Sequence, residues 1–437
     1  MSSFQTDQQT LQDLSLTGIN GQPAIIDLFK PITIGGQVKL KELFAKPLTD
    51  INAIRARAAA IRYFDRTDLH ISLHKEEADF ISFYIDQEND TAASKFKVIN
   101  DRVRNWVKPT NQHYVISRGV RLLFKLIKKV ELSFEKHQHD IPAPLKLLRE
   151  QTEDLLKAIP VATQHLSDLS KFDIDKLDRI FRNTKVEAVR HFLNSLYTVD
   201  VFYAVGFTGR QYGFCYPEFI DTEQPELNLN GFYHPFVSKP AVNDITFDSG
   251  KNLCFITGAN MAGKSTVLKS ISVCVYMAQL GFPVPATAMR TSVFNGLFTT
   301  INLSDNIVAG HSHFYREVLR IKEVAQKIGT VNKLLVIFDE LFRGTNVKDA
   351  YDASLEIVKA FTEVKSSAFM ISTHIVEVAD ELRSADNIFF NCLSTDLVDG
   401  KAIYTYKLKP GISHERLGMR IIEDEGLVDM IKALSKK

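Results

Sequence analysis

The stretch Gly258-Ala259-Asn260-Met261-Ala262-Gly263-Lys264-Ser265-Thr266 decides the reading of this chain. It fits the pattern G-x-x-x-x-G-K-[ST]. Before it, Leu253-Cys-Phe-Ile-Thr257 is an apolar run of strand length, and after it Ser265–Leu280 reads as a helix. Glycines in such a turn let the backbone curl until its amide N–H groups face phosphate oxygens, and the following helix N-terminus adds positive potential. Lys264 then reaches the β and γ phosphates of a nucleotide, and the Ser265 hydroxyl ligates Mg²⁺.

Two later strand ends supply what that loop lacks. Lys333-Leu-Leu-Val-Ile-Phe-Asp339-Glu340 is a run apolar enough for a fully buried strand, and it delivers two carboxylates at its end. A phosphate site of this kind needs one carboxylate for a hydrated metal and one group to orient or deprotonate water. Asp339 suits the first role and Glu340 the second. Phe369-Met-Ile-Ser-Thr373-His374 is a further strand ending in a polar pair, and His374 there is placed to bond a γ-phosphate or the attacking water.

Composition bounds the rest. The chain has 437 residues, 45% hydrophobic and 24% charged, the balance of an ordinary globular protein of two or three domains. Its 53 basic and 52 acidic side chains leave a net charge of +1, so any nucleic-acid contact must come from local clustering. Four scattered cysteines read as free thiols of a reducing, cytoplasmic setting. No signal peptide is visible. The apolar Ile271–Met289 segment is broken by Gly281, Pro283 and Pro285, which favours a buried helix over a membrane span.

The texture changes near residues 210–230. Helical patterns dominate before it: Asp50–Phe64, Arg118–Lys136, Pro144–Ala158 and Leu177–Tyr197. After it, short apolar runs alternate with helices: Asn252–Thr257, Gly296–Asn302, Lys333–Phe338, Ser367–Ser372 and Asn387–Cys392. The expectation is an all-α domain over 1–215 followed over 216–437 by an α/β domain with a largely parallel sheet.

With these residues in view, a family resemblance emerges. Gly258 to Thr266 closely resembles the phosphate loop of the MutS family of DNA mismatch repair ATPases, and Asp339 to Asp349 is similar to its acidic motif and following loop. Asp305-Asn-Ile-Val-Ala-Gly-His-Ser-His-Phe314 is similar to its signature segment, and Ser372-Thr-His374 to its switch histidine. Gly231-Phe-Tyr-His-Pro235, Pro410 to Gly418 and, in the helical half, Lys39 to Arg55 also resemble family segments. The resemblance implies an ABC-type P-loop ATPase domain preceded by an all-α core and lever domain, with ATP and Mg²⁺ as cofactors. It implies a homodimer through the ATPase domains, in which Ser312 reaches the partner's nucleotide. Residues 258 to 266 would bind the nucleotide, Ser265 and Asp339 the metal, and Glu340, Lys264, His374 and Ser312 would be catalytic.

Departures shape the expected function. The lever-like segment starts within the first 40 residues, so the expectation is a short member without the mismatch-reading and connector domains. A full clamp insertion and most of the C-terminal helix-turn-helix are not expected either. Phe361-Thr-Glu363 has the letters of the mismatch wedge but lies on a helix of the ATPase half. His311 and His313 stand where the family pattern has Arg and Thr, and Phe342 where it has Gly. These positions bear on contacts across the dimer rather than on nucleotide binding.

Between Arg102 and Val130 lie eight basic residues and no acid. Arg118, Arg121, Lys125 and Lys128 follow helical spacing and would form one stripe, suited to phosphate backbones without sequence preference. The leading expectation is an ATP-dependent protein acting on double-stranded or branched DNA. The alternative keeps the ATPase and makes the helical half a docking arm for protein or ribonucleoprotein. A membrane-transporter ATPase is disfavoured by the missing Leu-Ser-Gly-Gly-Gln signature, and no membrane partner is expected.

Overall fold

The computed structural model describes residues 3–18, 23–67, 69, 71, 73–87, 112–135, 140–159, 169–301, 313–398, 401–414 and 426–434. They form two compact units, residues 26–46 with 55–211, and residues 1–25 with 47–54 and 212–437. This differs from the single division expected after residue 215, because the N-terminal segment belongs to the α/β unit. Its helix α1 (Gln8–Asp13) lies against the β6 strand (Gly296–Thr300). There Thr10 Oγ1 accepts from Thr299 N at 3.0 Å, and Gln5 forms a parallel bridge to Gly296. An edge strand presents unpaired backbone groups, and this segment covers them.

The helical unit contains α2 (Ile34–Phe44), most of α3 (Ile51–Arg66), α4 (Lys75–Asp86), α5 (Gln112–Glu135), α6 (Ala143–Ala158), α7 (Lys171–Arg179) and α8 (Val186–Tyr212). The helix expected over Leu177–Tyr197 is thus two helices, separated by a π-helical turn at Ile180–Thr184. Two buried carboxylates organise the start of α2. Asp200 accepts from Ile32 N, Thr33 N and Thr33 Oγ1 at 3.0, 2.9 and 2.7 Å, and Asp79 accepts from Ile34 N at 3.1 Å. Burial raises the pKa of both.

The α/β unit holds two sheets. The larger has the order β10-β9-β4-β8-β7-β6, with β4 (Leu253–Thr257), β7 (Leu334–Asp339), β8 (Ala368–Ser372) and β9 (Ile388–Val398); all neighbours are parallel except β9 with β10 (Lys401–Pro410). Strands β4, β7 and β8 are buried along their whole length, as continuous apolar runs should be. Stacked Phe338, Phe361 and Phe369 lie in the core behind them, with ring centroids 5.7 and 4.8 Å apart. A second sheet, β1-β5-β2-β3, comprises Glu218–Ile220, Ala288–Ser292, Leu227–Phe232 and Asn243–Phe247. Among the described residues no helix is long and apolar enough to cross a membrane. Ile271 to Met277 lie buried within α9 (Lys264–Gln279). No disulfide joins the four cysteines.

Candidate functional site

Strands β4, β8 and β7 are neighbours and parallel, so their carboxyl ends open on the same side. The glycine loop follows β4, Thr373-His374 follows β8, and Asp339-Glu340 closes β7. The ladder continues past the strands, with Thr373 N donating to Ile256 O and Glu340 N to Ser372 O, both at 3.1 Å. Lys264, Ser265, Asp339, Glu340 and His374 thereby lie together at these strand ends.

The loop from Gly258 to Gly263 turns through left-handed backbone at Gly258, Met261 and Gly263 (φ 147°, 68° and 99°). Gly263 is the N-cap of α9 and has no side chain to satisfy the helix's first amides, which leaves them for an anion. Ala259 and Asn260 complete the turn, Ala262 is buried behind it, and Thr266 lies on the first turn of α9. Lys264 is 5% exposed; its ammonium donates to Gly258 O at 2.8 Å and Ala259 O at 3.3 Å, and lies 3.6 Å from Glu340 Oε1.

Both oxygens of Asp339 are engaged. Ser265 Oγ donates to Oδ2 and Ser372 Oγ to Oδ1, while Arg343 Nη2 stands 3.7 Å from Oδ2. Ser265 and Asp339 are therefore in contact and offer two hard oxygen donors on one side of the loop. That set suits Mg²⁺, which takes few protein ligands and fills its octahedron with water and phosphate oxygens. Among the described residues no group of three or more His, Cys, Asp or Glu forms a separate metal cluster.

Glu340 has left-handed backbone (φ 60°), unusual for a non-glycine residue. Its carboxylate is held by Arg343 Nε at 2.9 Å, with His374 Nδ1 at 3.8 Å. Phe342 also has left-handed backbone (φ 59°), a conformation that favours glycine. Here the phenylalanine is buried and packs on Phe314, centroids 5.4 Å apart. Glu317, on α10 (His313–Ile328), accepts from Arg343 N at 3.2 Å and ties that helix to the acidic loop.

A cavity of about 350 Å³ opens beside the loop and is lined by Tyr233, His234, Val237, Met261, Gly263 and Tyr406. Burial, with the nearby Lys269 charge, lowers the His234 pKa to about 4, so the imidazole is neutral at pH 7. Aromatic faces and a neutral ring make a surface on which a flat heterocycle can stack.

Sequence reading quoted the segments that hold Ser372, Arg343 and His234 but gave these residues no role, and it did not reach Tyr406. Ser372 carried a signal, since its strand was recognised and its register puts it opposite Asp339. Tyr406 carried none, because an irregularity in β10 places it. Ser312 and the rest of the signature up to His311 lie outside the described residues, as do Arg102, Arg104 and Lys108.

The basic stripe is on α5, in the helical unit, and each of its members has partners in this chain. Arg118 lies over the Phe80 ring at 4.8 Å and donates to Tyr114 Oη at 2.9 Å; Arg121 donates to Leu169 O at 3.1 Å. Lys125 pairs with Glu77 and Lys128 with Glu131, both at 2.9 Å.

Parallel strands, the glycine loop and the acidic strand end define a mixed α/β domain. Residues 254–436 match the family described as MutS domain V. Over 372 residues the chain is 26% identical to the DNA mismatch repair protein MutS of Lactobacillus johnsonii, covering 81% of this chain and 38% of the relative. It is 28% identical over 248 residues to MutS of Lactobacillus acidophilus (55% of this chain, 29% of the relative) and 30% over 236 residues to that of Brevibacillus brevis (52% and 27%). Residues 254–436 thus match MutS domain V, and the chain is similar to MutS proteins over as much as 81% of its length. It spans between about a quarter and two-fifths of the length of these curated relatives.

Proposed function

We propose that the chain binds and hydrolyses ATP and that nucleotide state drives movement of a helical core and lever domain on DNA. The observation that carries the ATPase reading is the meeting of Lys264, Ser265, Asp339, Glu340 and His374 at the ends of three adjacent strands. The nucleotide's phosphates would lie along residues 258 to 266 and its base in the cavity against Tyr406 and His234. Ser265 and Asp339 would hold Mg²⁺, which would supply positive charge against the negative charge of the phosphates.

In the reaction, water attacks the γ-phosphorus in line and the β–γ phosphoanhydride bond breaks to give ADP and phosphate. Lys264 turns from its own loop carbonyls to the β and γ oxygens and stabilises the developing charge. Glu340 orients the water and takes its proton, for which it must leave Arg343. His374, half exposed, is placed to donate to the γ-phosphate. Two such domains would pair as a homodimer, Ser312 completing the partner's site, in a cytoplasmic setting.

DNA, double-stranded or branched, is the proposed partner of the helical half, as the relatives' name suggests. One observation favours the other reading, a docking arm for protein or ribonucleoprotein: Arg118, Arg121, Lys125 and Lys128 are all engaged within the chain. The discriminating experiment is binding of the Glu340→Gln protein with Mg-ATP to matched duplex, single-mismatch duplex and four-way junction across a salt series. Glu340→Gln is expected to bind ATP and turn it over at least about 10²-fold more slowly. Salt-steep binding to one DNA supports the lever reading; retained ATP binding with no DNA binding supports the docking arm. Wild-type turnover in Glu340→Gln would remove Glu340 from the mechanism.

A further inference from the structure

The cavity beside the glycine loop depends on an irregularity far from it in sequence. Strands β9 and β10 pair regularly as far as Tyr404 opposite Thr395 and resume at Leu408 opposite Leu393. Three residues, 405 to 407, therefore stand against Ser394 alone. A bulge of this kind re-aims side chains beside functional sites. Tyr406, at its centre, has left-handed backbone (φ 55°). Its ring is thrown against the phosphate loop, where a Cβ added to Gly263 would lie 3.1 Å from Tyr406 Cδ1.

Left-handed backbone at a tyrosine is strained and persists only where its surroundings over-determine it. Lys407 N donates to Thr405 Oγ1 at 3.2 Å, and the groups on either side of Lys407 are met by one further side chain. Asn243, at the start of β3 and 7% exposed, donates through Nδ2 to Tyr406 O at 3.0 Å and to Ala241 O at 3.2 Å. Its Oδ1 accepts from Leu408 N at 2.7 Å. Asn243 thus spans Lys407, tying the Tyr406 carbonyl to the Leu408 amide where the bulge ends. Asparagine suits the task because one planar group offers a donor and an acceptor, which an aspartate, threonine or leucine does not.

We propose that Asn243 is a positioning residue for base recognition: by holding the β10 bulge it sets the Tyr406 ring over the mouth of the phosphate loop, and affinity for the purine base depends on it. This rests on reading residues 258 to 266 as a nucleotide site. It predicts that Asn243 acts on the base and not on the phosphates.

The test is equilibrium binding of Mg-ATP and of Mg-tripolyphosphate, which lacks base and sugar, to wild type, Asn243→Ala, Tyr406→Ala and the double variant. Asn243→Ala is expected to weaken Mg-ATP about tenfold, the scale of a lost base–aromatic stack, and to leave tripolyphosphate within about twofold. The double variant is expected to match Tyr406→Ala alone, because residues acting through one contact are not additive. Equal losses for both ligands, full additivity with Tyr406→Ala, or unchanged ATP binding would each overturn the positioning role while wild type still binds ATP. Failure of wild type to bind either ligand would instead overturn the nucleotide site itself. If Asn243→Ala does not melt cooperatively, Asn243→Ser, uncharged and still able to hydrogen-bond, replaces it with the same expectations.

Discussion

Replacing Asp13 with alanine tests whether the N-terminal segment is built into the α/β unit. Asp13 is 3% exposed, and its Oδ2 accepts from Thr299 Oγ1 at 2.8 Å and Ile301 N at 2.9 Å. Its Oδ1 accepts from Gln9 Nε2 at 2.9 Å. Gln9 is half-buried and can turn to water; Thr299 and Ile301 are buried and cannot. The substitution therefore orphans one hydroxyl and one amide N–H. At about 1–3 kcal/mol for each orphaned buried donor, the loss centres near 4 kcal/mol. Asp13→Asn can keep its carbonyl oxygen at the Oδ2 position for both donors and should lose much less, about 1 kcal/mol. The assay is urea denaturation followed by far-UV circular dichroism, fitted to two transitions because the chain has two compact units, with amide exchange on β6 and β7 to identify the one that moves. For a urea slope of about 2 kcal/mol per M, the α/β transition should shift down by about 2 M. A shift under about 0.25 M with β6 protection unchanged would show that the segment is an appendage and that its hydrogen bonds contribute nothing net.

Lys264→Ala should abolish ATP turnover and weaken nucleotide binding, measured by phosphate release and by titration; unchanged turnover would move the site elsewhere. Asp79→Asn should match or exceed wild-type stability at neutral pH. Burial raises the folded-state pKa of Asp79, so its share of stability is fully present below the ordinary carboxylate range and is lost as pH rises through the raised value. Asparagine keeps the acceptor for Ile34 N without that loss, so its urea midpoint should gain on wild type between acid and neutral pH; a pH-independent difference contradicts the assignment. Gly36→Ala should destabilise the helical unit by about 1–3 kcal/mol in the same melts, since the new Cβ would lie 2.3 Å from Asp200 Oδ2. If some five of the eight basic residues between Arg102 and Val130 meet DNA phosphates, the log–log salt slope is near −4.5, and Lys125→Ala should reduce its magnitude by about 0.9; an unchanged slope means that Lys125 stays with Glu77.

The chemistry-bearing turn was legible because its constraints are local. Glycine at 258 and 263 answers left-handed backbone, and Lys264-Ser265 must follow at the helix start whatever surrounds them. Strands β4, β7 and β8 were legible for a related reason, since burial on both faces leaves only apolar residues and marks each end with the first polar ones. The helix expected over Leu177–Tyr197 was misread because an apolar stripe continues through a π turn with little change of period.

Tertiary structure decided what depends on partners distant in the chain. Residues 1–25 join the α/β unit because Thr10 and Asp13 meet backbone donors of β6 and of Ile301 almost 290 positions away, and nothing in a short polar helix names that strand. The α5 stripe has the spacing of a phosphate-binding face, yet Glu77, Glu131, Phe80 and the Leu169 carbonyl engage it, and periodicity cannot show which charges are already satisfied. Tyr406 reaches the loop only through a bulge held by Asn243, a residue of the other sheet. A sequence records which groups need partners; which partners they find is settled when distant strands come together.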